Sequence, residues 1–364
     1  MTFPPVPDRT IDGHVHLFTI GGVDKMLRIR QELGLERVNL LSIVEPAKGN
    51  GNSTVLAAKA LHPEAFYAFG GLDHAAGTST DPAQAISLKR QAMLLRQAGC
   101  DGMKMLETKP TLRQQRDVPI DSPYYHEYFA FVEEQQIPLV WHVADPEEFW
   151  NPKTTPWWAV KHNWGYGPSD VAKEKLYTEV SHVLNRQGDL KVIFPHMYFL
   201  SADLPRLERF LRTYPNVNID LALGVELLFN LSKAPQQARD FFIQHQDRIV
   251  FGSDAQEILP LDQARIRFGL TNRFLQTDEA FSVPPEAEEL LQTPGEIHGL
   301  GLPQDVLRKI YRDNFLRIVG GEPAKVDRQL ALEECRRLGR QASRLSGLSL
   351  EQTEAGQCIQ ALEA

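Results

Sequence analysis

Residues 11–44 read IDGHVHLFTIGGVDKMLRIRQELGLERVNLLSIV and contain one repeat of the pattern that decides the fold. The apolar runs at its two ends, residues 11–18 and 37–44, have the length and composition of buried β-strands. Between them, Met26, Ile29 and Leu33 lie at the spacing of one helical face. The stretch therefore predicts a strand, a helix and a second strand in succession.

Similar apolar runs continue along the chain, so that the sequence contains eight in all. The six later ones are EAFYAFGGL (64–72), CDGMKML (100–106), IPLVWHVA (137–144), LKVIFPHM (190–197), NVNIDLAL (216–223) and RIVFGSD (248–254). Helical segments separate them, with starts predicted at Asp81-Pro82 and Ser122-Pro123 and a C-cap at Gly99. The alternation predicts an α/β fold, a (β/α)₈ TIM barrel. A doubly wound open sheet is the alternative, but no glycine-rich phosphate loop follows the first strand.

No linker rich in glycine, serine or proline divides the chain, so we expect one barrel domain over residues 1–321. Residues 322–364 are predicted to form a C-terminal helical extension, packed on the barrel or on a second copy in a homodimer. Two connections are too long for simple barrel loops: residues 145–170 after strand five, with four of the five tryptophans, and about residues 255–301 after strand eight. Both follow the carboxyl ends of strands, where barrel active sites are built, and are predicted walls or lids of a site or merely surface excursions.

Composition excludes several classes of partner. The formal net charge is −8 and the basic residues are dispersed, which argues against nucleic acid or an anionic membrane as partner and leaves a small-molecule substrate. The N-terminus lacks the pattern of a signal peptide, and no run of about 18 apolar residues occurs, so a cytoplasmic protein is expected. Cys100, Cys335 and Cys358 are too few and too scattered for a zinc site, so any metal must use histidines and carboxylates.

Polar side chains occupy the carboxyl ends of several predicted strands. His14 and His16 share one face of the first strand, while His142, His196 and Asp254 end the fifth, sixth and eighth. Singly, each has a structural explanation as a hydrogen-bonded core histidine or a turn-capping aspartate. Buried polar groups are costly unless they are paired or bind a metal, and in a barrel these five converge on one mouth. The sequence therefore predicts a functional site there.

The ordered set of motifs resembles the amidohydrolase superfamily and, within it, the amidohydrolase-2 branch. This branch includes aminocarboxymuconate semialdehyde decarboxylase, resorcylate decarboxylases and dicarboxylate lactonases. The motifs are DGHVH, VWHV, FPH, RIVFGSD and the closing helix LPQDVLRKIYRDNFLRIVG, and the resemblance covers about residues 10–320. A single His-x-His is a weak signal, whereas the ordered set is specific.

The resemblance implies that His14, His16, His142 and Asp254 hold one divalent metal ion. Imidazoles with a carboxylate suit Zn²⁺, and Mn²⁺ is the alternative. Such an ion lowers the pKa of a coordinated water to about 7. The resemblance further implies that Asp254 takes the proton of this water and passes it to the leaving group. His196 would polarise the substrate or serve as a second proton-transfer group.

Lys104, on the fourth predicted strand, has several interpretations. In binuclear members of the superfamily a carboxylated lysine at this strand bridges two metals, and His196 would then bind the second ion. Alternatively, Lys104 pairs with a carboxylate inside the barrel or contacts the substrate. The sequence leaves these alternatives open.

These observations favour a metal-dependent hydrolase of a small ester, lactone or amide. A non-oxidative decarboxylase of an aromatic or unsaturated carboxylic acid is the alternative, and a catalytically silent, metal-stabilised barrel is a third. No arginine near a motif is predicted to hold a substrate carboxylate, and SDAQE after strand eight lacks the Tyr-Pro associated with many decarboxylases of the branch. Both features favour hydrolysis.

Overall fold

The computed structural model describes residues 3–45, 49–74, 86–224, 226–286 and 295–364. The helix start predicted at Asp81-Pro82 and residues 287–294 of the second long connection lie outside this part. The strands are β1 (Ile11–His16), β2 (Arg37–Leu41), β3 (Val44–Glu45), β4 (Gly49–Asn50), β5 (Phe66–Gly71), β6 (Gly102–Thr108), β7 (Leu139–Val143), β8 (Val192–Phe194), β9 (Val217–Asp220), β10 (Ile249–Val250), β11 (Ala255–Gln256), β12 (Ala280–Ser282) and β13 (Glu296–His298).

The main sheet is parallel and closes on itself. Its strand order is β10-β9-β8-β7-β6-β5-β2-β1-β11. Its two ends, β10 and β11, belong to one short stretch, residues 249–256, which pairs with β9 on one side and β1 on the other. Between them, Phe251 O accepts a hydrogen bond from Gly13 N at 2.9 Å. The eight predicted runs therefore form a barrel, and the predicted fold class is confirmed.

Helices surround the barrel and extend beyond it. They are α1 (Val23–Glu32), α2 (Asn52–Leu61), α3 (Leu88–Ala98), α4 (Pro110–Arg116), α5 (His126–Glu134), α6 (Trp157–Lys161), α7 (Lys173–Arg186), α8 (Leu204–Thr213), α9 (Leu227–Ser232), α10 (Pro235–Gln244), α11 (Leu261–Gln276), α12 (Gln304–Arg308), α13 (Asn314–Val319), α14 (Arg328–Ser346) and α15 (Glu354–Glu363). A 3₁₀ turn at Pro123–Tyr125 leads into α5, as the Ser122-Pro123 pair predicts. None of the described helices has the length and apolar content needed to cross a membrane.

The barrel interior is apolar at its amino end and polar at its carboxyl end. Side chains from the strands and from α13 form a closed apolar layer: Ile11, Leu41, Tyr67, Phe69, Val140, Ile193, Val250, Phe315 and Ile318. The strands are buried on both faces, which explains why they read as nearly continuous apolar runs. Hydrophobic burial thus fills one end of the barrel, and the polar strand ends meet at the other.

The helices beyond residue 322 pack on the barrel. α14 and α15 lie against each other and against α2. The segment that leads to them runs over Gly99, whose φ of 109° is left-handed, as expected of a C-cap, and whose added Cβ would lie 2.7 Å from Val326 Cα. Asp101 joins these parts, because its Oδ1 accepts a hydrogen bond from Ala324 N at 2.7 Å and its Oδ2 lies 2.5 Å from Lys59 Nζ.

Replacing Asp101 by alanine is expected to lower the free energy of unfolding by about 3–5 kcal/mol, because the fully buried Lys59 ammonium loses its counter-charge. Denaturant titration of the purified protein measures the effect. Asp8→Ala, at an exposed aspartate, is the control and should change stability by less than about 0.5 kcal/mol. Equal stability of the two variants would contradict this prediction.

Candidate metal centre

His14 and His16 present unprotonated nitrogens to each other. His14 Nδ1 lies 2.8 Å from Asp220 Oδ2, and His16 Nδ1 lies 3.2 Å from Leu41 O. Both partners only accept, so each Nδ1 carries the proton and each Nε2 is a bare acceptor. The two Nε2 atoms are nevertheless only 3.3 Å apart. Burial lowers the pKa of His14 well below its usual value, which keeps this imidazole neutral.

Asp254 completes a triangle of electron-pair donors. Its Oδ1 lies 3.3 Å from His16 Nε2 and 3.6 Å from His14 Nε2. Ligand atoms about 2.1 Å from a tetrahedral zinc ion are separated by about 3.4 Å, which these spacings match. Three acceptors converge without a proton between the two nitrogens, and a cation relieves their repulsion. The group His14, His16 and Asp254 can therefore hold a metal ion.

Asp254 is held by its neighbours in sequence and by β1. Asp12 Oδ1 accepts from His14 N at 3.1 Å and Ser253 N at 3.0 Å, and its Oδ2 accepts from Ser253 Oγ at 2.5 Å. Asp254 N donates to His14 O at 2.9 Å. Burial alone would raise the pKa of Asp254, but the neighbouring imidazoles of His16 and His14 hold that pKa well below its usual range. Asp254 is therefore ionised and fixed against the histidines.

Left-handed backbone is concentrated at the carboxyl ends of the strands. The residues concerned, with φ between 50° and 63°, are Ala144, His196, Met197, Tyr198, Phe199 and Asp254. A non-glycine residue in this conformation costs about 1–2 kcal/mol. Asp220 Oδ1 supports the turn at His196 by accepting hydrogen bonds from His196 N and Ala222 N, both at 2.9 Å. Strain of this kind commonly accompanies functional sites.

His196 lies beside the triangle. Its ring centroid is 5.5 Å from that of His14, and Phe199 stacks on its other side at 4.9 Å. His196 Nδ1 donates to Ala222 O at 2.9 Å, which leaves Nε2 as a bare acceptor. Burial lowers the pKa of His196, so the neutral imidazole is favoured. His196 is thus prepared to accept a proton.

The structure does not bring His142 into the triangle. Its Nε2 lies 3.2 Å from Asp145 Oδ1, and neither of its ring nitrogens belongs to the group that can hold an ion. Lys109 Nζ also binds Asp145, at 2.7 Å. Burial lowers the pKa of His142 to about 3, so its imidazole is neutral. With Nε2 facing a carboxylate, Nδ1 is the nitrogen left to bind an ion.

Lys104 lies on β6 and is buried. Among the described residues, no carboxylate is within ion-pair distance of its ammonium, so one of the alternatives left open by the sequence, an ion pair inside the barrel, does not form. Burial lowers the pKa of Lys104 to about 8, while Asp220 and Asp254 oppose this shift. Its charge in turn acts on His14 and His196.

Arg267 is an arginine close to Asp254 that the sequence analysis did not single out. It lies on α11, in the long connection after strand eight, and its Nη1 donates to Leu223 O at 3.2 Å. Asp254 is the charged neighbour that acts on its pKa. Within the described residues, Arg267 forms no ion pair, and its buried Nε has no hydrogen-bond partner. Sequence spacing did not reveal it because α11 reaches the strand ends only in the folded chain.

The tryptophan-rich connection packs on itself next to His142. Phe149, Ala159 and Tyr166 make a small core against which three of its tryptophans, Trp150, Trp158 and Trp164, pack. Tyr166 Oη donates to Asp145 Oδ2 at 2.5 Å, and Asp145 in turn contacts His142. Trp157 is instead 65% exposed. The connection therefore packs on itself, and its first residue, Asp145, contacts His142.

Asp220 was missed by the sequence analysis, and we expect it to position His14. An Asp220→Asn variant removes the acceptor that fixes the His14 tautomer, so metal affinity should fall about 10–100-fold. Competition with a chromogenic chelator measures this affinity. Asn218, also buried on β9, supplies the control: Asn218→Ala should leave the affinity unchanged. Equal affinities for the Asp220→Asn variant and the unmodified protein would contradict the assigned role.

Fold and site together define a class, the TIM barrels that carry histidines and a carboxylate at the carboxyl mouth. The amidohydrolase model Amidohydro_2 matches residues 11–321, and the chain belongs to this family. It is thus a member of an enzyme family within the amidohydrolase superfamily. A comparison with curated proteins finds no match.

Solved structures share the fold at low identity. A 2,6-dihydroxybenzoate decarboxylase from Rhizobium is 15% identical, with a TM-score of 0.51 over 86% of this chain and 99% of that one. A dihydroxybenzoic acid decarboxylase from Polaromonas sp. JS666, with bound manganese and the inhibitor 2-nitroresorcinol, is 14% identical, with a TM-score of 0.51 over 86% and 97%. A protein from Pseudomonas putida, named as a candidate 2-pyrone-4,6-dicarboxylic acid hydrolase, is 15% identical, with a TM-score of 0.51 over 86% and 97%.

Proposed function

We propose that this protein is a metal-dependent hydrolase of a small ester, lactone or amide. The observation that carries the proposal is the convergence of His14 Nε2, His16 Nε2 and Asp254 Oδ1 within 3.6 Å of one another at a barrel mouth. The Asp254 side chain is 22% exposed, so the group is open to a reactant. The bound ion would polarise a carbonyl and make a water acidic enough to ionise near neutral pH.

The ion is proposed to be Zn²⁺, held by His14, His16 and Asp254, with His142 as a fourth ligand through Nδ1. Nitrogen and carboxylate donors at these separations suit zinc. His142 would have to move toward the ion, because its ring nitrogens lie outside the three-residue group. Mn²⁺ is the alternative, since manganese is bound in the decarboxylase from Polaromonas.

Proton transfer is assigned to Asp254 and His196. Asp254 Oδ1 faces the histidines, while Oδ2 accepts no hydrogen bond from the described residues and is proposed to take the proton of the attacking water. His196, with its bare Nε2, is proposed as the second proton-transfer group rather than as a hydrogen-bond donor to the carbonyl. Protons then pass through these groups to the departing alcohol or amine.

A decarboxylase is the second candidate, and Arg267 favours it. A guanidinium without a carboxylate partner, beside Asp254, is suited to bind the carboxylate of a substrate. Two of the structurally similar proteins are named as decarboxylases of dihydroxybenzoates. Arg267 therefore removes one of the two sequence arguments against this reaction.

A substrate screen tests the proposal. Zinc- and manganese-loaded protein would be incubated in ¹⁸O-water with lactones, esters, amides and aromatic or unsaturated carboxylic acids. Incorporation of one ¹⁸O atom into a product supports hydrolysis. Stoichiometric CO₂ without such incorporation would replace it by decarboxylation, and turnover of none of these compounds would contradict both.

Lys104 is expected to remain an unmodified amine. A second ion bridged by a carboxylated lysine would need a second set of ligands, and among the described residues only His14, His16 and Asp254 form a group that can hold an ion. Intact-protein and peptide mass spectrometry should therefore show no carbamate, and bicarbonate should not raise the metal content above about one equivalent. Two metals about 3.5–4 Å apart in a metal-loaded crystal structure would contradict the mononuclear site.

A further inference from the structure

Glu226 is a buried carboxylate with no partner in the described protein. It immediately precedes α9 in the connection after β9 and is only 8% exposed. Apart from the backbone of Glu226 itself, neither of its carboxylate oxygens has a hydrogen-bond partner among the described residues. Leaving such a group unsatisfied is unfavourable, so a purely structural residue at this position would be expected to be apolar or paired. Burial raises the pKa of Glu226 to about 7.

The position of Glu226 connects it to the candidate centre. Four residues earlier, Ala222 O holds His196, and α9 packs against the turn that carries His196 and Phe199. Lys173 and Asp145 are among the charged groups that act on Glu226. Lys173 Nζ donates to Phe199 O at 3.4 Å, and Asp145 contacts His142. Glu226 therefore belongs to the side of the mouth formed by the ends of β7, β8 and β9.

Neighbouring groups do not satisfy the Glu226 carboxylate. Lys173 pairs instead with Glu147, at 3.1 Å. Glu148, a further carboxylate acting on Glu226, also has a buried oxygen without a partner. A Cβ at Gly224 would lie 2.8 Å from Glu226 Oε2, so glycine permits the carboxylate to lie against the preceding backbone. Within the described residues, these carboxylates form no group that can hold a metal ion, which leaves a hydrogen-bond donor as the missing partner.

We propose that Glu226 is a specificity-determining residue that accepts a hydrogen bond from a hydroxyl or amino group of the substrate. The inference rests on the proposed hydrolase function, because it places the substrate carbonyl at His14, His16 and Asp254. The favoured substrate then carries a donor beside its ester, lactone or amide carbonyl. Glu226 orients that donor and takes no part in bond breaking.

The test compares γ-butyrolactone with its α-hydroxy and α-amino derivatives, using zinc-loaded full-length protein. Binding is measured by calorimetry and hydrolysis by titration of released acid. The unmodified protein should bind the substituted lactones at least about 10-fold more tightly than γ-butyrolactone, as a hydrogen bond to a charged group allows. Glu226→Met should abolish this preference, mainly through KM rather than kcat, and Glu226→Gln should restore part of it. Glu64→Met, at an exposed glutamate, is the control.

The thermal stability of the ligand-free protein distinguishes a role of Glu226 in substrate recognition from a structural role. Removing an unsatisfied buried carboxylate should raise Tm of the Glu226→Met variant by about 2 °C or more. A fall in Tm would overturn the proposal, as would equal or undetectable binding of the three lactones by the unmodified protein. Binding is read independently of turnover, so a protein that binds the substituted lactones selectively but hydrolyses nothing would contradict the hydrolase function and leave Glu226 as the donor-binding residue.

Discussion

The unmodified protein is expected to carry about one equivalent of metal per chain, and the His14→Ala, His16→Ala double variant is expected to lose nearly all of it. The reason is geometric: two of the three atoms that converge on the centre disappear, and a single carboxylate, Asp254, is a weak site for an ion. Turnover should fall with the metal. Elemental analysis after exhaustive dialysis measures the content.

The variant should remain folded, because the apolar layer that fills the barrel lies at the opposite end from these histidines. Circular dichroism and thermal unfolding check this point. A matched variant, His62→Ala with His182→Ala, removes two histidines that belong to no predicted ligand set and should retain full metal content. Full occupancy in the His14, His16 variant would end the metal-site hypothesis.

The barrel was predictable because its evidence is local. Each strand is buried on both faces and so reads as an apolar run, and the helices between them show their own periodicity. Closure of the barrel depends on contacts between residues far apart in sequence, because residues 249–256 pair with β9 at one end and with β1 at the other. The rule that parallel barrels close supplied this step, rather than any residue in the stretch.

Of the candidate centre, only the residues that can contact an ion could be predicted from the sequence. The spacing of His14 and His16 predicts that they share one face of a strand, and Asp254 stands out in the sequence as a charged residue at a strand end. The residues that orient them are separated from them in sequence: Asp220 reaches His14 across the barrel, and Arg267 returns to the strand ends on a later helix. No periodicity records such contacts, because they depend on tertiary packing. The NID sequence that ends β9 was the one signal for Asp220.

His142 illustrates how a motif can identify a residue without its orientation. The sequence places it at a strand end beside the other histidines, and the structure agrees on that position. The orientation of its ring, however, depends on the contact with Asp145. Asp145 also binds Lys109 and Tyr166 of the tryptophan-rich connection. This network sets the tautomer, and it lies in connections whose contacts composition does not reveal.

Asp254→Asn is expected to reduce kcat on the best substrate of the screen by about 10²–10⁴-fold. A carboxamide cannot accept the proton of the attacking water, and it is a neutral and weaker ligand. Metal content should fall only in part, because His14 and His16 remain, so activity is compared per bound ion. Asp305→Asn, at an exposed aspartate, is the control and should keep full activity. Activity of the Asp254→Asn variant within about threefold of the unmodified protein would contradict the assigned role.

Measuring ¹⁸O and deuterium incorporation with the same variant distinguishes hydrolysis from decarboxylation. In hydrolysis, water supplies an oxygen to the product, so Asp254→Asn should slow ¹⁸O incorporation as strongly as it lowers kcat, about 10²–10⁴-fold, while the metal-bound protein still binds the substrate. In decarboxylation, no oxygen from water enters the product; CO₂ is released and solvent deuterium appears on the carbon that loses it. If ¹⁸O is incorporated rapidly by the unmodified protein and only slowly by the Asp254→Asn variant, the aspartate is the group that activates water. Deuterium on carbon with stoichiometric CO₂ would instead make Asp254 a group that serves carbon protonation, and Arg267 the residue expected to bind the departing carboxylate.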